Sequence, residues 1–149
     1  MIFAVNKKLR DLQILETFEA GVSLIGPEVK AIRNKNLSIS EAFIKIKNGE
    51  VFIINMNIIP ISQNSFFGRF NPVRSRKLLL KKSEIKRLIG KVEEKGLTIV
   101  PTKVYQKGKW IKVEIAIAKH KTQYDKRQEI RKKEVDRKIQ EIMKRRGLR

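Results

Sequence analysis

The chain has 149 residues, of which 35 are Lys or Arg and 15 are Asp or Glu, leaving +20 at pH 7. With no cysteine there are no disulfides, thiol nucleophiles or cysteine-ligated zinc sites, and a single histidine leaves no histidine-rich metal site. A basic surplus of that size repels itself unless a polyanion neutralises it, and nucleic acid is the leading candidate because each neutralised phosphate releases counterions. A Lys/Ile/Glu-rich source composition would raise Lys and Glu together, whereas here the acids lag far behind. The apolar fraction of 41% is enough for a core, and the length suits one domain with an appendage. No apolar run approaches the roughly 18 residues of a membrane span. The opening "MIFAVNKKLRDLQ" lacks the long apolar centre of a secretory signal. A cytoplasmic protein with no membrane partner is expected.

In chain order, "ILETFEAGVSLIG" reads as extended, with Gly21 and Gly26 as bends or bulges. "PEVKAIRNK" reads as a short helix: Pro27 suits the first position, Glu28 the first turn, and Arg33 the cation-favouring end. In "SEAFIKIKNGEVFIINM", Asn48-Gly49 offers a type I′ turn, and Ala42, Ile44 and Ile46 alternate with Phe43, Lys45 and Lys47. That is the pattern of a half-buried antiparallel hairpin.

"SQNSFFGRFNPVRSRK" has no regular period and reads as a loop, with Phe66, Phe67 and Phe70 expected to cap the core rather than to stack on bases. "SEIKRLIGKVEEKG" is amphipathic: Ser83 is the expected N-cap, Ile85, Leu88, Ile89 and Val92 form the inner stripe, and Gly96 ends it. Two strands follow, "LTIVPTKVYQ" and "WIKVEIAIA", joined by "KGK". In the second, Ile111, Val113, Ile115 and Ile117 share one face, while Lys112 and Glu114 make the other face wet near its start. Five or six antiparallel strands with two or three short helices fit a small, closed or partly open β-barrel of the OB type.

From Lys119 onward thirteen bases meet five acids. Val135, Ile139, Ile142 and Met143 form a short apolar stripe that Ile130 does not join. A helix with so little apolar surface is marginal alone, and Arg131-Lys132-Lys133 adds like-charge repulsion. Phosphates would relieve that repulsion, so this tail is expected to be helical only when bound. Catalytic chemistry has no visible home: there is no Gly-rich phosphate loop and no repeated acidic pattern for two metals. His120, alone, reads as a solvated residue in a basic hinge.

Several long motifs in fixed order resemble the SsrA-binding protein family, SmpB. They are "ETFEAGVSLIGPEVKAIR", "SISEAFIKIKNGEVFIINMNIIP", "RKLLLKKSEIKRLIGKV", "KGLTIVPTKVY" and "KVEIAIAKHKTQYDKR", and the likeness covers roughly residues 6 to 146. The resemblance implies an OB-like barrel over residues 1–121 and a basic tail over 122–149 for the ribosomal mRNA channel and decoding centre. It also implies binding to the tRNA-like domain of transfer-messenger RNA (tmRNA) and its delivery to stalled ribosomes for trans-translation, with the tail standing in for codon–anticodon pairing. The partners would be that RNA and the small subunit with its 16S rRNA. The protein would act as a monomer, one copy per RNA, without cofactor, metal or catalysis.

By the same resemblance, Glu28, Lys30 and Arg33 would hold the elbow of the tRNA-like domain, with Lys119 and Lys121 in the basic segment after the last strand. Lys7, Lys8, Arg74, Arg76 and Lys77 would extend that RNA-binding face. Cations would position phosphates, and Glu28 would accept hydrogen bonds from base or 2′-hydroxyl groups, unless it serves only the helix dipole. Tyr124, Asp125, Lys126 and Arg127 would meet the decoding centre, and Ile142, Met143 and Lys144 match the tail motif needed for accommodation. The sequence departs from the family where His120 replaces a glycine and Thr122 a lysine, where Lys81 stands for a histidine, and in a shortened start that lacks a histidine and a tyrosine. A ribosomal or ribosome-assembly protein and a nonspecific nucleic-acid chaperone are the alternatives, separable by preference for the tRNA-like domain.

Overall fold

A computed structural model describes residues 1–59, 71–94, 96–121 and 123–145. The three phenylalanines expected to cap the core, Phe66, Phe67 and Phe70, lie outside these. The chain divides into two compact units, residues 1–119 and 120–149.

The first unit is built on one antiparallel sheet. Its strands are β1 (Ile2–Val5), β2 (Leu12–Val22), β4 (Phe43–Lys47), β5 (Glu50–Ile54), β7 (Arg76–Leu79), β8 (Leu97–Lys107) and β9 (Trp110–His120). They lie in the order β1-β8-β9-β2-β7-β5-β4. A two-stranded sheet pairs β3 (Leu37–Ser38) with β6 (Asn57–Ile58). Although β4 ends the order and β8 is second in it, their Cα atoms approach within 8 Å, so the sheet curls back on itself as an OB-like, incompletely hydrogen-bonded barrel.

The hairpin expected at Asn48-Gly49 forms there. Lys47 pairs with Glu50, and φ angles of 51° and 74° at Asn48 and Gly49 match the type I′ requirement. The β8–β9 turn is equally tight: Lys107 pairs with Trp110 across Gly108-Lys109, with Gly108 at φ 59°. In β9, Val113, Ile115 and Ile117 are buried as their alternation predicts, and the wet face is confined to Trp110–Glu114 because Ala116 and Ala118 are buried too.

Helix α1 (Gly26–Arg33) turns Ala31 and Ile32 into the core, and α2 (Lys82–Val92) contributes Leu88, with Ile85 packed at its margin. Both join one core with Phe18 of β2, Ile53 of β5, Leu78 of β7, Val104 of β8 and Ile115 of β9. Two expectations for α2 are corrected. Lys81, not Ser83, is the N-cap, and its N–H donates to the Glu84 carboxylate (3.0 Å), leaving Ser83 exposed in the first turn. Val92, the last member of the apolar stripe, is exposed, because the helix ends there. The loop assigned to "SQNSFFGRFNPVRSRK" also ends earlier than expected, since Arg76 and Lys77 belong to β7.

The second unit is α3 (Gln123–Arg145), a single helix whose described side chains are all exposed. Val135, Ile139, Ile142 and Met143 are each about half exposed, as is Ile130. β9 stays extended through His120.

Candidate nucleic-acid interface

The first turn of α1 holds a buried ionic knot. Glu28 and Arg76 are both fully buried, and Arg76 Nε donates to Glu28 Oε2. Arg76 Nη1 also donates to the Met56 carbonyl (2.5 Å) and Nη2 to the Pro72 carbonyl (3.1 Å). Arg74 reaches the same carboxylate from the rim, Nη2 to Oε1 at 2.5 Å and Nε to Oε2 at 3.1 Å, with its side chain one-third exposed. Glu28 Oε1 accepts the Ile25 N–H (3.0 Å), replacing the side-chain cap that Ile25 cannot supply. Burial pushes the Glu28 carboxyl up, but the Arg74 hydrogen bonds, the Ile25 N–H and the Arg76 charge outweigh it, so its pKa lies below the usual carboxylate value. Burial also lowers the Arg76 pKa, against the pull of Glu28.

This geometry changes what three of the expected contacts can do. Glu28 has both oxygens engaged and no exposed surface, so it does not offer a hydrogen bond to a base or a 2′-hydroxyl. Arg76, equally buried, offers no donor to a phosphate. Neither position looked internal in sequence, because an Arg and a Glu are almost never fully buried unless paired, and their partners are far apart along the chain. Arg74 is the member of the knot that reaches the surface.

Around the knot the other expected cations are exposed. Lys30 and Arg33 occupy the outward positions of α1, whose inner face is Ala31 and Ile32. Lys77 sits 3.4 Å from Glu50, and Lys8 is paired with Glu41. Lys7 is exposed, its backbone N–H donating to Ser40 Oγ (3.2 Å). Its side chain lines a groove of about 430 Å³ with Ile2, Val5, Ser40 and Lys35, a cation just beyond α1 that sequence reasoning passed over. Lys119 lines a different groove of about 560 Å³ beside Arg87 and Lys91, where the two Glu16 oxygens share the single Arg87 Nε–H (2.8 Å each). The expected sites are therefore several basic surfaces rather than one cluster.

In the second unit, Lys121 is half-buried, and Arg127, Ile142 and Met143 are exposed. Tyr124, Asp125, Lys126 and Lys144 fall within the backbone of α3, but their side chains lie outside those described. No group of acids and histidine able to hold a metal occurs among the described residues. No helix among them is long and apolar enough to cross a membrane.

A curled antiparallel barrel carrying exposed Lys and Arg on α1 and near the strand ends defines a basic, OB-like β-barrel protein. The particular family follows from comparison with known proteins. The SmpB protein family model matches residues 3–145. The chain is 53% identical to the SsrA-binding protein of Thermosipho africanus over 146 residues, covering 97% of each, and 47% identical to that of Gloeobacter violaceus, covering 97% of this chain and 95% of the relative. A chain of the solved structure described as "tmRNA-SmpB: a journey to the center of the bacterial ribosome" superposes with a TM-score of 0.66 at 40% identity, over 85% of this chain and 93% of that one. This chain belongs to the SmpB family.

Proposed function

We propose that the protein binds the tRNA-like domain of tmRNA through its barrel and brings that RNA to stalled ribosomes, where α3 occupies the space an mRNA and anticodon would fill. The observation that carries the reading is the arrangement at α1. Glu28 and Arg76 are sealed inside the barrel, while Lys30 and Arg33 reach the surface from that helix and Arg74 from the segment just before β7. Glu28 thus acts as a positioning residue: its carboxylate holds the Arg74 guanidinium in one orientation, ready to bridge phosphate oxygens without first losing side-chain freedom. Lys30, Arg33, Lys7 and Lys119 add point charges that set the register on the RNA backbone. Lys8 and Lys77, already paired with Glu41 and Glu50, contribute less.

The tail has the complementary design. It is rich in cations, poor in apolar surface, and its stripe of Val135, Ile139, Ile142 and Met143 has nothing packed on it among the described residues. Phosphates of ribosomal RNA would neutralise Arg131, Lys132 and Lys133 and favour the helix, and the stripe would gain a partner. The role of the molecule is recognition and placement rather than bond chemistry, as a monomer with one copy per RNA in the cytoplasm.

The test is a titration of the full chain, and of a version ending at Lys121, against a tRNA-like-domain RNA and an unrelated hairpin at two salt concentrations. The expected result is that the shortened protein keeps most of its affinity and its preference for the tRNA-like domain. Equal loss of affinity for both RNAs would place recognition in the tail and overturn the division of labour.

A further inference from the structure

The β8–β9 turn presents a feature that the α1 surface does not use. Trp110, the single tryptophan of the chain, stands 72% exposed at the tip. Leaving an indole in water forfeits a large apolar burial, so an uncovered one in a basic setting calls for an occupant. The setting is basic: Lys109 beside it is exposed and makes no ion pair among the described residues, while Lys107, its cross-strand partner, is held by Glu19 (3.1 Å). The tip is also rigid. Gly108 takes the left-handed φ the turn needs, the Gln106 side-chain amide donates to the Gly108 carbonyl (3.0 Å), and the Gln106 N–H donates to the Met1 carbonyl (2.9 Å).

Strand register joins the tip to the groove at the end of α1. Trp110 and Lys107 share the outward face of the hairpin with Tyr105 and Lys103. Ile2 pairs with Tyr105 and Val5 with Lys103, and both apolar side chains are exposed on that face. Ile2 and Val5 also line the groove that holds Lys7 and Lys35. One surface therefore runs from the cationic end of α1 along β1 to Trp110, the last four strand residues covering about 13 Å.

We propose that the β8–β9 tip is a further contact for the tRNA-like domain of tmRNA, in which Trp110 stacks on an unpaired base and Lys109 neutralises a neighbouring phosphate. The inference rests on the function proposed above. RNA is the occupant because the surface is cationic, continuous with the α1 groove, and topped by an aromatic face, the pairing of features that sequence-tolerant RNA contacts use.

The experiment follows the emission of Trp110 in the full chain while a tRNA-like-domain RNA is added, with gel retardation of the same RNA measured in parallel. Emission should fall and become shielded from acrylamide over the concentration range in which the RNA shifts. Trp110→Ala should weaken binding about tenfold, within the range for loss of one stacked base, and Trp110→Phe should restore most of it. Lys109→Ala should lower the salt dependence of log K by roughly one phosphate contact. Because Trp110 supports no core contact, W110A should retain the circular dichroism of the parent. If the RNA shifts while emission and the W110A affinity are unchanged, the tip is not a contact, although the barrel still binds RNA. If emission responds to small ribosomal subunits and not to the tRNA-like domain, the tip belongs to the ribosome and the proposal fails. If the parent protein does not retard the RNA at all, the function proposed above fails with it.

Discussion

Replacing Glu28 by alanine strands a buried cation, and the cost can be worked from its partners. The carboxylate takes the Ile25 N–H, two donors of Arg74, and Nε of Arg76. Arg74 is one-third exposed, so water screens and replaces its share, which is below about 1 kcal/mol. Arg76 is fully buried and would keep only the Met56 and Pro72 carbonyls, and breaking such a pair from one side costs about 3–5 kcal/mol. A loss of about 4 kcal/mol should lower the barrel's midpoint of thermal unfolding by roughly 15 °C, at about 4 °C per kcal/mol for a domain of this size. Glu28→Gln keeps one acceptor oxygen for the Ile25 N–H but loses the charge and turns the other oxygen into an NH2 that cannot accept from Arg76 Nε, so it should fall between the parent and Glu28→Ala. Urea unfolding of the three proteins, followed by far-ultraviolet circular dichroism, reads the difference as a shift in midpoint at unchanged slope. A loss below about 1 kcal/mol for Glu28→Ala would show that water or a neighbouring group replaces the carboxylate, and the buried knot would not be the device described here.

The same knot makes a pH prediction. The Glu28 pKa is depressed by folding, so its contribution is present above the unfolded value of about 4.3 and is lost as pH falls through the lower, folded value; the parent and Glu28→Gln should therefore converge in stability on acidification, measured by urea midpoints along a pH series. Gly49→Ala should cost about 1 kcal/mol in the same assay, because φ of 74° strains any side chain, while the open space around it rules out a clash. Lys30→Ala and Arg33→Ala should each weaken binding of structured RNAs and reduce the salt slope by about one, measured by filter binding at several salt concentrations, whereas Lys8→Ala, already paired with Glu41, should change it less. The dichroism difference between the full chain and the version ending at Lys121 should show incomplete helix at low salt and a rise when polyphosphate is added, since α3 is held by propensity against its own charge.

Where local pattern decides structure, the sequence was legible. The Asn48-Gly49 hairpin, the short helix over "PEVKAIR", the inner face of β9 and the amphipathic α2 all follow from turn chemistry and apolar spacing over a few residues. The strands that escaped notice are short or depend on distant partners: β1 has four residues and exists by pairing with β8, and β3 and β6 have two each. β7 was hidden because "RKLL" puts an arginine at a buried position, which reads as surface until Glu28, 48 residues away, is brought beside it. The candidate site was legible in the same uneven way. Lys30 and Arg33 are where helical spacing puts them, but the division between part-exposed Arg74 and buried Arg76 depends on how each reaches Glu28, 46 and 48 residues away, which no local pattern encodes. Trp110 escaped for a related reason, since in sequence it reads as the first residue of a strand, and its exposure follows from the turn that precedes it.

In the proposed division of labour the barrel selects the RNA and the tail acts on the ribosome. The decisive assay is peptide tagging on ribosomes stalled at the end of a truncated message, with tmRNA supplied. The full chain should support tagging, and the version ending at Lys121 should bind the tRNA-like domain with near-parental affinity yet give no tagged peptide. Tagging by the shortened protein at the parental level would contradict the claim.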